Sequence, residues 1–263
     1  MPGHFRGELG GGGVGVMPVE DVAGSALRPL RLVALQNMAG EGFPRFERHL
    51  AQDGRALRVV HAYRGEPLPS PEECDAVVVG GSPLAAYDWQ DHAFLRDEAA
   101  FLSRALAAGV PTLGICFGAQ FLAHLFGGRA YRADRREIGA HTVWLTEAGR
   151  TDPILAGFPP SLPVVEWHGD TFDLPPGAQL LARGEGIRHQ LFRLGHVVGV
   201  QFHPEVTDVE VARWADANPA DLAAAGTTRE KVLAECRAIE SDMQRVAARL
   251  LDNFLACLVR ERT

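Results

Sequence analysis

Closely spaced cysteines are missing from this sequence of 263 residues. Its four cysteines lie far apart, with no CxxC and no paired spacing, at Cys74, Cys116, Cys236 and Cys257. This pattern does not supply the even, regularly spaced set that a disulfide framework needs. It suits a reducing compartment better, so we expect the protein in the cytoplasm.

Long apolar runs and an excess of positive charge are missing as well. No stretch of about 18 apolar residues occurs, so we expect no membrane span. The N-terminus lacks a basic segment followed by an apolar run, so we expect no secretory signal. The formal net charge of -7 argues against nonspecific binding to nucleic acid or to an anionic membrane surface.

Metal-ligand motifs are also missing. Four histidines invite a metal interpretation, but none of them forms HExxH, HxH or another tight ligand pair: His124, His141, His168 and His189. We therefore predict neither a metal site nor a cofactor.

The sequence does contain alternating strand-like and helix-like segments. Apolar runs typical of buried strands occupy residues 30–35, 57–62, 75–79 and 110–115, and helical patterns occupy residues 43–53, 92–108 and the stretch after Cys116. Alternation of this kind predicts an α/β fold with a doubly wound, mainly parallel sheet. In such sheets, ligands bind beyond the carboxyl ends of the strands.

The pattern changes in the second half of the chain. Short β-like runs at residues 141–145, 164–167, 178–181 and 196–202 predict antiparallel strands added to the parallel core. Residues 207–263 predict a helical C-terminal extension packed on the core, with docking of a partner or covering of a site as the alternative. Residues 1–28 are rich in glycine and lack periodicity, which predicts a flexible leader.

The most informative stretch runs from Leu113 to Gln120, where an apolar strand leads into a helical pattern with Cys116 at the turn. A thiol at a helix N-terminus is favoured as thiolate by the unpaired N–H groups and the helix dipole. Gly114 and Gly118 permit a sharp turn. Two interpretations are open at this point, a reactive thiol and a small buried core cysteine.

A cysteine nucleophile needs a base, and the base needs a group that orients it. The segment from Gly199 to Glu205 offers both, because residues two apart in an extended strand point to the same side. His203 would then lie beside Glu205, whose carboxylate fixes the tautomer of the imidazole and stabilises its charged form. The alternative is a histidine at a strand end with a solvated glutamate.

Together, Gly114–Gln120 and Gln201–Glu205 resemble the two catalytic motifs of the class I glutamine amidotransferase domain. The resemblance is greatest to the glutaminase part of GMP synthase and its stand-alone relatives, and it predicts an amidotransferase-like domain over residues 29–206. Two weaker segments agree with GMP synthases, Arg136–Gly139 and Trp167–Asp170, the second resembling a loop that approaches the glutamine site there.

The resemblance implies a reaction with named roles. Cys116 is the nucleophile, His203 the general base and then acid, and Glu205 the residue that orients His203. The side-chain amide of L-glutamine would be hydrolysed through a γ-glutamyl thioester, with release of ammonia. The oxyanion would be stabilised by the N–H groups of Gly81 and Phe117.

Substrate binding is implied for a second group of residues: Gln120, His168, Gly169 and Asp170. An amidotransferase passes its ammonia to a second substrate, yet the chain has neither a GxxxxGK[ST] phosphate loop nor an SGGxDS-type pyrophosphatase loop. We therefore expect a synthetase or another ammonia-acceptor subunit as partner. The alternatives are a hydrolase of other γ-glutamyl peptides or amides, and a catalytically idle regulatory protein.

Overall fold

A mixed sheet of nine strands forms the centre of the structure, a computed structural model that describes residues 30–260. The strands of this described part are β1 Leu32–Gln36, β2 Leu57–His61, β3 Ala76–Val79, β4 Thr112–Ile115, β5 Arg129–Leu145, β6 Ser161–Asp173, β7 Gln179–Arg183, β8 His189–Leu194 and β9 Val197–Val200. The helices are α1 Pro44–Gln52, α2 Ala93–Ala107, α3 Phe117–Leu125, α4 Glu147–Thr151, α5 Asp208–Ala217, α6 Pro219–Ala224, α7 Arg229–Ala238 and α8 Glu240–Arg260. The predicted leader, residues 1–28, lies outside the described residues.

Half of the sheet is parallel, in the order β2-β1-β3-β4-β9. Every residue of β1, β3, β4 and β9 is buried, because apolar clusters cover both faces of the sheet. A strand buried on both faces has no polar face, which explains the continuous apolar runs in the sequence. The predicted α/β class with a mainly parallel, doubly wound core is confirmed.

The other half of the sheet is antiparallel and continues as β9-β8-β7-β5-β6. Three details differ from the sequence prediction. Residues 196–202 were expected among the added antiparallel strands, and β9 does pair antiparallel with β8, but it also runs parallel to β4 and belongs to the parallel core. The strand β8 was not predicted, and Trp167–Asp170 lies in the long strand β6 rather than in a loop. Apolar periodicity indicates that a strand is buried but not its direction, and this explains the error over β9.

The C-terminal segment is helical, as predicted, with breaks at Asn218–Pro219 and near Gly226. The helix α8 packs on α1 and β6 and buries apolar side chains in the core that covers one face of the sheet: Met243, Val246, Leu250, Leu251 and Phe254. A capping box between Thr207 and Glu210 starts α5 immediately after the last strand. These helices therefore share one core with the sheet.

The parallel strands β1, β3, β4 and β9 end at the same edge of the sheet, since they run in the same direction. The loops that follow them contain Glu41, Gly81, Cys116 and His203, respectively. The fold thus brings four distant segments of the chain to one place.

Candidate active site

Cys116 occupies a strained turn between β4 and α3. Its φ and ψ angles are 51° and −109°, and it is the one described residue other than glycine with a positive φ. The Cys116 N–H donates to the Val200 carbonyl at 2.8 Å, which ties the turn to the end of β9. Backbone of this kind costs of the order of 1–3 kcal/mol and persists where surrounding structure enforces it, most often at functional sites.

Two glycines make the turn possible. A Cβ atom on Gly114 would lie 2.6 Å from the Gly118 carbonyl, and a Cβ atom on Gly118 would collide with the Val79 carbonyl. The backbone of α3 therefore crosses directly over the ends of β3 and β4, where no side chain fits. This crossing directs the first turn of α3, with Phe117 as its first residue, toward the carboxyl ends of the strands.

The Cys116 thiol is almost entirely buried, with 6% of the residue exposed. The Gln201 side-chain amide donates to Sγ at 3.7 Å, and the Trp167 carbonyl lies 3.8 Å from Sγ. The thiol lines the same cavity as His203. Its surroundings are thus polar, unlike those of a cysteine packed only by apolar side chains.

His203 and Glu205 form a buried pair beside this thiol. His203 Nδ1 lies 2.7 Å from Glu205 Oε1, and the two residues are 2% and 3% exposed. The strand β9 has already ended at Val200, so the pair lies in an irregular segment rather than in the extended strand that we predicted. The His203 N–H donates to the Val165 carbonyl, and the Glu205 carbonyl accepts from the Arg45 N–H, at 2.8 and 2.9 Å. These bonds hold the segment in place.

The environment of His203 favours its charged form. Burial opposes protonation, but the charge of Glu205 and the neighbouring Cys116 side chain outweigh it and hold the pKa of His203 well above its ordinary value. Because Nδ1 is bound to Glu205, Nε2 is the nitrogen left for proton exchange with sulfur or substrate. The indole of Trp214 packs edge-on against the imidazole, with ring centroids 4.8 Å apart.

The predicted oxyanion donors lie on neighbouring strand ends. Phe117 is the first residue of α3, so its N–H has no acceptor within the helix. Gly81 follows β3 in a loop that is fixed through Gly80, whose N–H donates to the Leu35 carbonyl at 3.0 Å. The Gly80 carbonyl in turn accepts from the Asn37 side chain at 3.4 Å.

A buried pair behind this loop was missed by the sequence analysis. Asn37 Nδ2 also lies 3.4 Å from Oε1 of Glu98, which projects from α2 and is fully buried. Burial raises the pKa of Glu98 to about 8, and the hydrogen bond from Asn37 opposes that rise only in part. A polar side chain at a strand end, such as Asn37, was the one available signal.

Gln120 lies in the cavity, but its amide nitrogen is already engaged. Nε2 donates to the Asp170 carbonyl at 2.9 Å and to Gln201 Oε1 at 3.2 Å. These bonds connect α3 to β6 and to the end of β9. Gln120 therefore holds the cavity wall through its N–H groups, and its predicted role in substrate binding stays a prediction.

His168, Gly169 and Asp170 form the β6 wall of the cavity. His168 Nδ1 lies 2.9 Å from the Asp170 carbonyl, while Nε2 lies 3.1 and 3.4 Å from the carboxylates of Glu166 and Glu137. Burial opposes the charge of His168, but pairing with the two carboxylates raises its pKa to about 10. The imidazole thus binds within this cluster and not to the His203–Glu205 pair.

The same three side chains are close enough to hold a metal ion. Among the described residues, one ligand atom from each of Glu137, Glu166 and His168 lies within 4.8 Å of the others. Glu166 and His168 are two residues apart on β6, whereas Glu137 faces them from the paired strand β5, so no spacing in the sequence connects Glu137 with the other two. A charged His168 faces both carboxylates and offsets one of their two negative charges, while both Glu166 carboxylate oxygens lack a hydrogen-bond partner within the described part of the chain.

The site opens into a cavity of about 340 Å³. Its walls include Cys116, His203 and Arg136, the last from a segment noted in the sequence, together with residues that the sequence analysis did not select: Glu41, Tyr87, Arg132, Trp214 and Asp221. Trp214 and Asp221 come from α5 and α6, and Asp221 forms an ion pair with Arg136 at 3.2 Å. The C-terminal helices therefore contribute directly to the wall of the cavity.

No helix in the described range 30–260 is long and apolar enough to cross a membrane. The model of the family "Glutamine amidotransferase class-I" matches residues 46–211. A glutamine amidotransferase-like protein of Salmonella typhimurium is 33% identical over 191 residues, which cover 70% of this chain and 80% of that protein.

The glutamine-hydrolysing GMP synthase of Thermomicrobium roseum is 40% identical over 131 residues, which cover 49% of this chain. The matched part is 23% of that synthase, so the chain spans about a quarter of its length. Among solved structures, a glutamine amidotransferase from Thermotoga maritima superposes with a TM-score of 0.79 at 30% identity, covering 86% of this chain and 97% of that one.

Proposed function

The chain belongs to the class I glutamine amidotransferase family, and from this membership we propose that it is a glutaminase that hydrolyses the side-chain amide of L-glutamine through a thioester on Cys116. One observation carries the proposal. Cys116 is held in a strained turn beside a buried, hydrogen-bonded His203–Glu205 pair. Nucleophile, base and orienting group then stand in the order that cysteine catalysis requires.

The chemistry follows from this arrangement. The Cys116 sulfur attacks the amide carbon of glutamine, and the resulting oxyanion accepts hydrogen bonds from the Phe117 and Gly81 N–H groups. His203 Nε2 gives its proton to the amide nitrogen, the C–N bond breaks and ammonia leaves. Water, deprotonated by His203, then attacks the thioester carbon and releases glutamate.

The fate of the ammonia is the second part of the proposal. The Thermomicrobium roseum relative is named as a GMP synthase that hydrolyses glutamine, and the chain matches about a quarter of its length. We propose that the ammonia-accepting reaction is supplied by a separate synthetase or other acceptor subunit. Glutamate release should then be stimulated when that partner and its substrate are present.

The test measures glutamate release by wild type, Cys116→Ser and His203→Asn. We expect turnover of L-glutamine by the wild type alone, and covalent labelling of Cys116 by a glutamine-mimicking electrophile. Full turnover by Cys116→Ser would overturn the nucleophile assignment. A wild type that hydrolyses other γ-glutamyl amides but not glutamine would instead identify a γ-glutamyl hydrolase, and a wild type that is neither active nor labelled would indicate an idle protein.

A further inference from the structure

Glu41 places a carboxylate beside the proposed oxyanion loop. It lies in the loop between β1 and α1, and a Cβ atom on Gly81 would lie only 2.5 Å from Glu41 Oε2 and 3.3 Å from His203 Cε1. The carboxylate and the imidazole therefore flank the same side of Gly81. Glu41 also lines the cavity that contains Cys116.

The Glu41 side chain has no assigned partner within the protein. Among residues 30–260, no hydrogen bond or ion pair to its carboxylate is formed, although its backbone N–H donates to the Met38 carbonyl at 3.3 Å. The residue is half-buried at the cavity, where a carboxylate without a partner in the protein can accept a hydrogen bond from a ligand. Glu41 is thus poised to bind something that enters the cavity.

The position of Glu41 near His203 indicates which part of a bound substrate would donate a hydrogen bond to its carboxylate. Because Glu205 holds Nδ1, proton transfer takes place at Nε2, and Cε1 is the ring atom between these two nitrogens. The Glu41 carboxylate and the Cε1 edge of His203 both lie against the Cβ side of Gly81, and the charge of His203 lowers the pKa of Glu41. An anion here would repel a neighbouring oxyanion, but it would stabilise a nitrogen that carries N–H groups and gains positive charge.

We propose that Glu41 is a further catalytic residue, whose carboxylate accepts a hydrogen bond from the amide nitrogen of the substrate as that nitrogen leaves. The inference rests on the proposed glutaminase reaction. His203 donates the proton from Nε2, the C–N bond breaks with its electron pair on nitrogen, and Glu41 holds one N–H of the departing ammonia without itself changing protonation state. This role requires a substrate whose leaving group carries an N–H.

The charge of Glu41 supports this role at neutral pH. Burial raises the pKa of Glu41 to about 7, the positive charge of His203 opposes that rise, and the charge of Glu205 adds to it. The other charged groups around the cavity are Arg132, Arg136, His168, Asp170 and Asp221. The carboxylate is therefore formed as pH rises through about 7, and a neutral Glu41 would be a poorer acceptor for the leaving nitrogen.

The experiment compares two leaving groups in one active site. Glu41→Gln and the control Glu47→Gln, which alters an exposed glutamate of α1, are assayed with L-glutamine and with the γ-methyl ester of L-glutamate. The ester oxygen carries no hydrogen for Glu41 to accept. We expect kcat for glutamine to fall about 10- to 100-fold in Glu41→Gln while kcat for the ester changes less than about 3-fold. Glu47→Gln should match the wild type on both substrates.

Two further measurements separate this role from a structural one. The rate at which a glutamine-mimicking electrophile alkylates Cys116 should be unchanged in Glu41→Gln, because no amine leaves in that reaction. The wild-type rate on glutamine should fall as pH drops below about 7, and this acidic limb should be reduced in the variant.

The outcomes distinguish the two proposals. Equal losses on amide and ester, or no loss on glutamine, would overturn the role of Glu41 and leave the glutaminase proposal standing. A wild type that releases glutamate from neither substrate would overturn the proposed function, and the role of Glu41 with it.

Discussion

Trp214 packs edge-on against the imidazole of His203, with ring centroids 4.8 Å apart, although Trp214 lies beyond the residues that the family model matches. The same indole also packs edge-on against Trp167, with ring centroids 5.7 Å apart, so it bridges His203 and the β6 wall of the cavity. A ring packed in this way restricts the rotation of the imidazole and excludes water from it. The C-terminal helices are thereby part of the proposed catalytic apparatus.

The first prediction concerns this contact. Trp214→Ala should lower kcat/KM for glutamine by roughly 10-fold or more, because His203 loses its orienting neighbour, whereas Trp214→Phe should retain most of the activity. The matched control is Trp144→Ala in β5, which removes an indole away from the cavity and should leave turnover of the folded protein unchanged. If the activity of Trp214→Ala falls only as far as its folded fraction falls, Trp214 acts on stability alone.

The second prediction concerns Glu205. Glu205→Gln removes the charge that favours the imidazolium, so the pKa of His203 should fall, and kcat/KM should fall about 10²- to 10⁴-fold. Histidine NMR titration and steady-state kinetics measure the two effects. The exposed residue Glu230 provides the control, Glu230→Gln, in which neither quantity should move. An unchanged His203 titration in Glu205→Gln would contradict the assignment of the pair.

The third prediction concerns the tight crossing of α3 over the sheet. Gly118→Ala should destabilise the protein by about 1–3 kcal/mol and disturb the Cys116 turn, because the new methyl group collides with the Val79 carbonyl. Denaturant unfolding and Cys116 labelling measure both effects. At Gly42, the nearest atom to a new Cβ is Pro44 Cδ at 4.0 Å, so Gly42→Ala should be close to neutral. Equal stabilities for the two variants would argue against the close approach at Gly118.

The fourth prediction concerns the pH dependence of stability through Glu98. The pKa of Glu98 is about 8 in the folded protein and about 4.3 in an unfolded chain. Between about pH 4.3 and 8, the Glu98 carboxyl is therefore protonated in the folded protein and ionised in the unfolded chain. The stability that the neutral carboxyl contributes is fully present below about pH 4.3 and is lost as pH rises through about 8. Glu98→Gln stays neutral, so this loss should be absent in the variant.

Urea denaturation at pH 5, 6.5 and 8 tests this expectation. The free energy of unfolding of Glu98→Gln minus that of the wild type should grow with pH, by a few kcal/mol over the range at roughly 1.4 kcal/mol per pKa unit. A constant difference across these pH values would mean that Glu98 titrates normally in the folded protein.

Much of the fold could be predicted because the signals are local. The apolar runs of β1, β3 and β4 and the helical periods of α1 and α2 lie within short windows, and both kinds of element appear within a few residues of the expected bounds. The direction of a strand relative to its neighbours is not a local property. For that reason β9 was assigned to the added antiparallel strands, although it runs parallel to β4.

In the candidate site, too, relationships between residues close in the sequence could be predicted, and those between distant residues could not. His203 and Glu205 are two residues apart, and sequence reasoning could place them side by side. Asn37 and Glu98 are 61 residues apart, and Glu41 meets the Gly81 loop from a different strand end, so no spacing in the chain connects them. The contacts of His168 were not predictable either. Its ring is held by Glu137 and Glu166 across a strand pairing that local sequence does not reveal, and its role in substrate binding stays a prediction.

The sequence by itself determined which segments become buried strands and which residues stand at their carboxyl ends, including the thiol at position 116 and the imidazole at position 203. These properties depend on residue type and period, which are local. Only the tertiary structure decided that β3, β4 and β9 lie next to one another, that Glu41 and His203 lie on the same side of Gly81, and that Trp214 packs on His203. Such contacts follow from the order of strands in the sheet and from packing of the last helices, which are set by burial of the whole core.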